Sequence, residues 1–370
     1  MNKARLPVNL SDEQIEAFGR ELDAMREEVL DSRGERDRRY ILRVIKVQRS
    51  LGVLGRALIF ASILALPVWG HAYANDNLFW LLIALGTLSL GLGKIIENME
   101  VAHNVLHAQW DWMKDPQIQS SSWEWNNVCP SDQWMQSHNV KHHTWTNVLG
   151  KDPDVGYGLL RVSPNQRWKP FYLGQPIYAF LLAVLFEWGI AIQELELGRL
   201  ASGRMTVDEV RPQLQRTGRK IVAQVTKDYL AWPLLGVLLT LPFALTGQGP
   251  ALLDVFFTVL IANAVANVLR NLWTYMIIFC GHFPADVHVF TKAQVEGETR
   301  ARWYVRQLLG SCNIKGGKTF DLFAGNLSYQ IEHHLFPDLP SSRYPEISQR
   351  VQALCARYGL PYNKGSLTRQ

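Results

Sequence analysis

The sequence predicts an all-α integral membrane protein: four transmembrane helices in two hairpins, the second and fourth extended into a cytosolic helical cap. Three observations predict it. Apolar residues make up 48 % of the chain, an ordinary share, but long charge-free stretches alternate with densely charged ones. Lys and Arg gather on one side of the expected hairpins. Eight of the ten histidines fall in four places close to the ends of the apolar stretches.

Residues 1–50 form a polar, charged cytosolic segment with no apolar core flanked by small residues, so a cleaved signal peptide is not expected. Ser11 followed by Gln14 reads as a capping box that opens an amphipathic helix over about Asp12 to Leu30. Residues 51–370 read as one membrane domain. Its spans are expected at about 51–70, 78–97, 229–249 and 251–275, since about 20 apolar residues cross a bilayer. Arg56 and Pro67 interrupt the first.

The connections within the two hairpins, "HAYANDN" and "TGQGPA", hold no Lys or Arg, whereas twelve precede residue 57 and the loop from Asn98 to Asp228 is rich in them. The positive-inside rule then puts both termini and the central loop in the cytosol of a multi-pass cell (inner) membrane protein. "IYAFLLAVLF", Ile177 to Phe186, is too short to span and predicts an interfacial or re-entrant helix at about 176–197. The cap comprises 98–228 and 276–370.

Composition narrows the function. A net charge of +5 suits a protein lying against anionic lipid, and with no basic stripe apart from the apolar segments, nucleic-acid binding is not expected. The four cysteines form no CxxC pair, which argues against disulfide scaffolds, zinc ribbons and cysteine-held iron–sulfur clusters.

Leu78 to His107 and Ala251 to Gly281 are each about 45 Å long as helices, against a hydrocarbon core of about 30 Å. Lys94 and Arg270 are expected to snorkel where each helix leaves the lipid. Beyond them the helices present His103 and His107, and His282. His71 and His288 read as isolated edge residues.

The clusters are "HNVLH" (His103, His107), "HNVKHH" (His138, His142, His143), "GHF" (His282) and "QIEHH" (His333, His334, preceded by Gln330). Positions i and i+3 or i+4 share a helix face, so each cassette can converge on one ion. Eight imidazoles exceed what one transition-metal ion takes, and two ions are the natural count. Imidazole suits Fe, Zn, Cu and Ni alike. A zinc hydrolase needs fewer ligands, and a metal transporter places its ligands inside the spans. Histidines just beyond the spans suit a redox site acting on something that comes out of the lipid.

"KIIENMEVAHNVLHAQWDWMKDP", "HHTWTNVLGKDPDVGYG" and "GNLSYQIEHHLFPDLPSSRYPEIS", with the order of the boxes and the intervening hairpins, resemble the integral-membrane fatty-acid desaturases over nearly the whole chain. The flanking stretches are similar to bacterial acyl-CoA Δ9 desaturases of the stearoyl-CoA type. The resemblance implies two iron ions held by His103, His107, His138, His142, His143, His282, His333 and His334. It also implies O2 as co-substrate and a cis double bond placed in a long-chain acyl-CoA. Two positions depart from the animal stearoyl-CoA branch. Gln330 stands where that branch has His, and can ligate or hydrogen-bond; Ile278 stands where it has an Asn that reaches a metal through water, with Asn326 as a substitute.

Carboxylates that fix the imidazole rings are expected among Glu100, Asp111, Asp152, Asp154 and Glu332. Six of the 13 tryptophans lie between residues 110 and 145. They suit a tunnel wall, with Trp110, Trp112 and Trp145 as lining, or an interfacial aromatic belt. Asn263, Asn267 and Asn271 form a stripe that suits interhelical glue, with Asn267 and Asn271 as alternative tunnel groups. Arg161, Arg167, Lys169 and Lys315 are candidates for CoA phosphates. With no haem motif, cluster cysteines or nucleotide loop in the chain, electrons are expected from NAD(P)H through a separate ferredoxin-like or flavin reductase. The competing functions are a lipid or alkane hydroxylase of the same superfamily and a non-catalytic membrane metal-binding transporter.

Overall fold

The computed structural model describes residues 6–70 and 74–370; His71 lies outside them. The chain runs through α1 (Asp12–Asp31), α2 (Glu35–Leu64), α3 (Asp76–Leu106), α4 (131–145), α5 (Gln175–Val184), α6 (Phe186–Glu194), α7 (Val207–Leu245), α8 (Leu252–His282), α9 (Arg300–Leu309), α10 (Gln330–Leu335) and α11 (Tyr344–Tyr358). Among the described residues four helices are long and apolar enough to cross a membrane: α2, α3, α7 and α8.

Ser11 opens α1 through the expected capping box, with the Gln14 side chain returning to the Ser11 backbone. One face of α1 then buries Ile15, Phe18, Leu22, Met25 and Val29 in a core shared with Tyr304, Leu308, Phe336, Ile347 and Val351. Each such burial contributes about 1.5–3 kcal/mol, which binds α1 to that core. The helix of the first span starts at Glu35 and passes residue 50 unbroken.

α2 packs along α3, α3 along α8 and α8 along α7. The α2–α3 crossing is close because neither side carries a Cβ. A Cβ at Gly55 would meet the Leu90 backbone nitrogen at 2.6 Å, and one at Gly86 the Ile59 nitrogen at 2.8 Å. Small residues at such a crossing let helices pack without a hydrophobic drive between them.

Lys94 and Arg270 do not snorkel. They are 3 % and 2 % exposed. The Lys94 ammonium donates to Asp228 at 2.6 Å, and the Arg270 guanidinium pairs with Glu187 while donating to the Asn126 carbonyl at 2.9 Å. Arg56 completes the group, 3.8 Å from Asp228. Asp228 and Glu187 come from distant segments, and a buried cation with an acid partner costs far less than one without.

The short apolar segment after residue 174 is not one helix. α5 and α6 meet at Leu185 with a bend of 99°, and Ile177 and Phe180 remain more than half exposed, as on a segment lying in the membrane interface.

Candidate metal centre

Two of the histidine clusters ride on π-helical turns, Glu97–Ala102 before His103 and Gln136–His142 before His143. A π turn inserts a residue and rotates the next turn about the helix axis. The His103 and His107 rings lie 4.7 Å apart and face His138 at 5.3 and 5.2 Å. His282 ends α8, and α10 carries His333 and His334. His107 comes within 4.7 Å of both His143 and His333, His143 within 4.4 Å of His334, and His142 within 4.8 Å of His282. All eight imidazoles of the four clusters meet in one place.

The ring nitrogens of His103, His107, His138 and His333 lie within 4.8 Å of one another, as do those of His142, His282 and His334. His143 forms a third set with His333 and His334, and so stands between the other two. Gln330 reaches His282, amide nitrogen to Nε2, at 3.0 Å.

The residues present fit metal. Nε2 of His107, His138 and His142, both nitrogens of His143, Nδ1 of His282 and Oε1 of Gln330 are buried without a hydrogen-bond partner. Buried polar atoms are rarely left so, because each costs desolvation that nothing offsets. Here they crowd together, and His103 and His333 bring their Nε2 atoms to 3.3 Å. Burial pushes His107, His138, His143, His333 and His334 well below the usual imidazole range. They stay neutral, with lone pairs to donate.

Three rings are held with Nε2 inward. His142 gives its Nδ1–H to Asp152 at 3.0 Å, and Asp152 is itself fixed by the backbone N–H groups of Asn147 and Asp154. Burial disfavours a charged His142, but the carboxylates of Asp152 and Asp154 outweigh it and raise the ring to about 9. A cation at Nε2 would draw on that same negative field. His333 sets Nδ1 3.3 Å from the Tyr344 hydroxyl, which already donates to the Phe336 carbonyl and therefore accepts. His334 sets Nδ1 3.1 Å from Oε1 of Gln307, whose amide nitrogen donates to the His143 carbonyl. Sequence reasoning missed Tyr344 and Gln307. Both are neutral groups rather than carboxylates; Tyr344 lies 11 residues from His333, and Gln307 27 residues from His334.

Among the expected carboxylates, Asp152 touches a histidine, and Asp154 lies 3.6 Å from His138. Glu100, Asp111 and Glu332 do not. Glu100 accepts from Tyr40, Ser341 and Asn326, so Asn326 is also spent away from the rings. Asp111 caps Ser120, and Glu332 accepts from Asn313 and Tyr362. Local turns and nearby polar side chains satisfy these acids first.

A narrow slot opens beside the histidines, walled by Asn98, Trp125, Trp134, Tyr157, Thr274 and Ile278 and reaching His103, His138, His282 and Gln330. Its free volume is about 40 Å³, room for little more than a water molecule. The expected tunnel residues lie elsewhere. Trp110 stacks on Tyr40, Trp112 donates to the Gln109 carbonyl, and Trp145 lies under Lys151. Asn267 is used by Tyr229 and Asp228, and Asn271 by the Val184 carbonyl and Arg270. Trp134 carries a signal in the sequence: it lies four residues before His138 on one helix face and stacks on it at 4.3 Å.

A family model described as "Fatty acid desaturase" matches residues 78–366. The chain belongs to the fatty acid desaturase family. The matched stretch holds all eight clustered histidines of this desaturase. A relative from Mycobacterium tuberculosis, an NADPH-dependent stearoyl-CoA 9-desaturase, is 46 % identical over 97 % of this chain and 78 % of its own length. An sn-1 linoleoyl-lipid 6-desaturase from Synechocystis is 28 % identical over 62 % of this chain and 60 % of its own. Human fatty acid desaturase 3 is 27 % identical over 79 % and 62 %.

Proposed function

We propose that this desaturase is a di-iron enzyme that places a cis double bond at the Δ9 position of a long-chain saturated acyl-CoA. The observation that carries the reading is eight imidazoles, seven of them buried and His138 nearly so, converging beside a slot at one end of the spans. The 46 % identity to a stearoyl-CoA 9-desaturase supports the substrate class.

His103, His107, His138 and His333 would hold one ion, and His142, His282 and His334 the other, with His143 between them and Gln330 beside His282. When bound, the irons supply the redox chemistry by which O2 oxidises an unactivated methylene pair. The chain's own residues do the rest. Asp152, Tyr344 and Gln307 hold their rings with Nε2 free, so the ligand shell is set before metal arrives. Trp125, Trp134 and Tyr157 wall the slot, exclude water and fix which methylenes lie beside the site. The overall change is R–CH2–CH2–R′ + O2 + 2 e− + 2 H+ → R–CH=CH–R′ + 2 H2O. The electrons come from NAD(P)H through a separate ferredoxin-like or flavin protein. The enzyme sits in the cell (inner) membrane with its termini and histidines in the cytoplasm.

The test is the product made from stearoyl-CoA and O2 by the iron-loaded enzyme in nanodiscs with a chemical reductant. Mass spectrometry should find a C18 chain lighter by two hydrogens with the double bond at carbon 9. A chain heavier by one oxygen would make it a hydroxylase, and metal binding without product would leave a non-catalytic protein.

A further inference from the structure

α2 begins at Glu35, well before the first span is expected to enter lipid at about residue 51, and its cations gather on one face of that extension. Arg36, Arg39, Arg43 and Lys46 follow one another at three- and four-residue steps, which sets them along one side of a helix. Arg49 follows one turn nearer the span. These residues line two grooves. The upper, about 560 Å³, runs between α2 and the segments carrying Lys318, Asn326 and Ser342, a size that holds a small ligand. The lower passes Lys46 and Arg49 and continues down the span to Val53, Leu54 and Ala57, with Val53 and Leu54 at least half exposed.

Charge in the two grooves is one-sided. Among the described residues Asp321 is the sole acid on their walls, and it accepts from Ser328. The adjoining acids are already answered by cations. Glu346 accepts from Arg36 and Arg343, Asp37 from Arg343, and Glu35 lies 3.8 and 3.9 Å from Arg38 and Arg39. Arg43, Lys46, Arg49 and Lys318 are exposed, with no ion pair or side-chain hydrogen bond among the described residues. The upper groove shares no wall residue with the slot beside the histidines. Tyr40 and Asn326 stand on its wall bonded to each other and to the buried Glu100. An acyl chain whose phosphate sat here would have to pass that bonded wall to reach the rings, which argues against the substrate's own phosphates. A folded acidic protein could meet the upper cations but could not follow α2 past Arg49 into hydrocarbon.

We infer that the face of α2 from Arg39 to Leu54 holds an anionic phospholipid from the leaflet at the histidine end of the spans. Its phosphate lies between Arg43 and Lys318, and its acyl chains lie on Val47, Val53 and Leu54. Several Lys and Arg directly beside a membrane helix recognise anionic lipid in this way. The depth agrees: at 1.5 Å per residue Val47 stands about 6 Å above residue 51, within a headgroup layer about 5–8 Å thick. Cations above and exposed apolar side chains below match the order of a phospholipid, head then chains. The bound lipid ties α2 to the segment of Lys318, so it stabilises the fold it binds.

The test is native mass spectrometry of the full chain released from micelles holding equal dioleoylphosphatidylglycerol and dioleoylphosphatidylcholine. The wild-type chain should retain the anionic lipid with about tenfold preference. Arg43→Gln should lower that preference about fivefold, and Arg43→Gln/Lys318→Gln should abolish it. Both side chains are exposed and unpaired, so the variants should fold, and equal Tm in phosphatidylcholine nanodiscs checks this. Arg211→Gln/Arg219→Gln, two exposed cations on α7, should change the preference less than about twofold. Phosphatidylglycerol nanodiscs should raise the wild-type Tm by about 3 °C and leave that of the double variant unmoved. No preference in the wild type, an undiminished one in the double variant, or an equal loss in the α7 control would overturn the site. Glycerophosphoglycerol, the same head without chains, and coenzyme A should each fail to displace the lipid at 100-fold excess over it. Displacement by either would make the groove a site for a soluble phosphate ester and overturn the lipid assignment. None of these readouts uses turnover, so they stand apart from the desaturase reading.

Discussion

Replacing Asp152 by Asn takes one negative charge from beneath His142 while keeping the side chain's shape. The carboxylate is buried and serves four contacts: both oxygens face His142 Nδ1 at 3.0 and 3.1 Å, one accepts the Asn147 N–H at 2.7 Å and the other the Asp154 N–H at 2.9 Å. An amide has one acceptor oxygen, so its NH2 must face a backbone N–H or the ring N–H, leaving a buried donor unpaired at about 1–3 kcal/mol. Losing the charge behind a ligating imidazole costs about 10- to 100-fold in metal affinity, or about 1.4–2.7 kcal/mol at 1.36 kcal/mol per tenfold. The assay is iron per chain after dialysis against a graded chelator series, read beside thermal unfolding. Asp152→Asn should release iron at chelator concentrations about 10- to 100-fold lower than wild type, and Asp111→Asn, which only loosens a turn at Ser120, should not. If Asp152→Asn kept wild-type iron affinity while Asp111→Asn lost it, the assignment of His142 as a ligand steadied by Asp152 would be wrong.

Gly55→Ala forces a Cβ against the Leu90 and Gly86 backbone and should destabilise the α2–α3 pair by about 1–3 kcal/mol, seen as a lower Tm in detergent; Gly52→Ala, with open space around it, is the control. Lys94→Met leaves Asp228 buried with its nearest cation gone and should cost about 3–5 kcal/mol, while Lys94→Met/Asp228→Asn recovers part of that. An additive double variant would show that the two groups do not interact. In metal-free protein, the rings of His107, His138, His143, His333 and His334 have folded values below the unfolded 6.5. As pH falls through about 6.5 the unfolded chain takes up protons that the fold refuses, and stability drains away. His142, raised to about 9, acts in the opposite sense, its contribution lost as pH rises toward that value, but the rings that burial holds neutral outnumber it. The chelated protein should therefore lose Tm from about pH 6.5 downward, and a flat profile there would contradict burial of neutral imidazoles.

The histidine boxes are legible in the sequence because their ligands repeat within a single helix, where spacing alone decides which side chains share a face. Asp152 is legible for a similar reason, ten residues from His142 in one local turn. Tyr344 and Gln307 are not: Tyr344, though only 11 residues from His333, is a phenol rather than a carboxylate, and Gln307 comes from α9, 27 residues from His334. The same limit explains Lys94 and Arg270. A cation near the end of an apolar run reads as a snorkelling residue unless its partner is known, and Asp228 and Glu187 sit 134 and 83 residues away in sequence. The tryptophan-rich segment announces aromatic walls but not their direction. Trp134 turns toward the histidines because the helix carrying His138 turns it there, whereas Trp110 is drawn to Tyr40 on α2.

Gln330 gains a sharper meaning from this arrangement. Four imidazoles surround one side of the cluster and three the other, with His143 between, and Gln330 lies on the three-imidazole side against His282. Its Oε1 is buried without a partner, and amide oxygen and nitrogen exchange places by a half-turn of χ3. Turned over, the oxygen occupies the position facing His282 and supplies the smaller set with a fourth donor. Gly281 makes the room, since a Cβ there would come within 3.0 Å of the Gln330 side chain. Gln330→Glu keeps the size and separates the two roles. If Oε1 faces the ion, an anionic oxygen binds it more strongly, and iron should leave to a chelator about tenfold more slowly than from wild type. If instead the amide nitrogen donates to His282, the carboxylate loses that donor, meets a lone pair, and iron leaves faster. Faster release would therefore remove Gln330 from the ligand set and leave it as a residue that only orients His282.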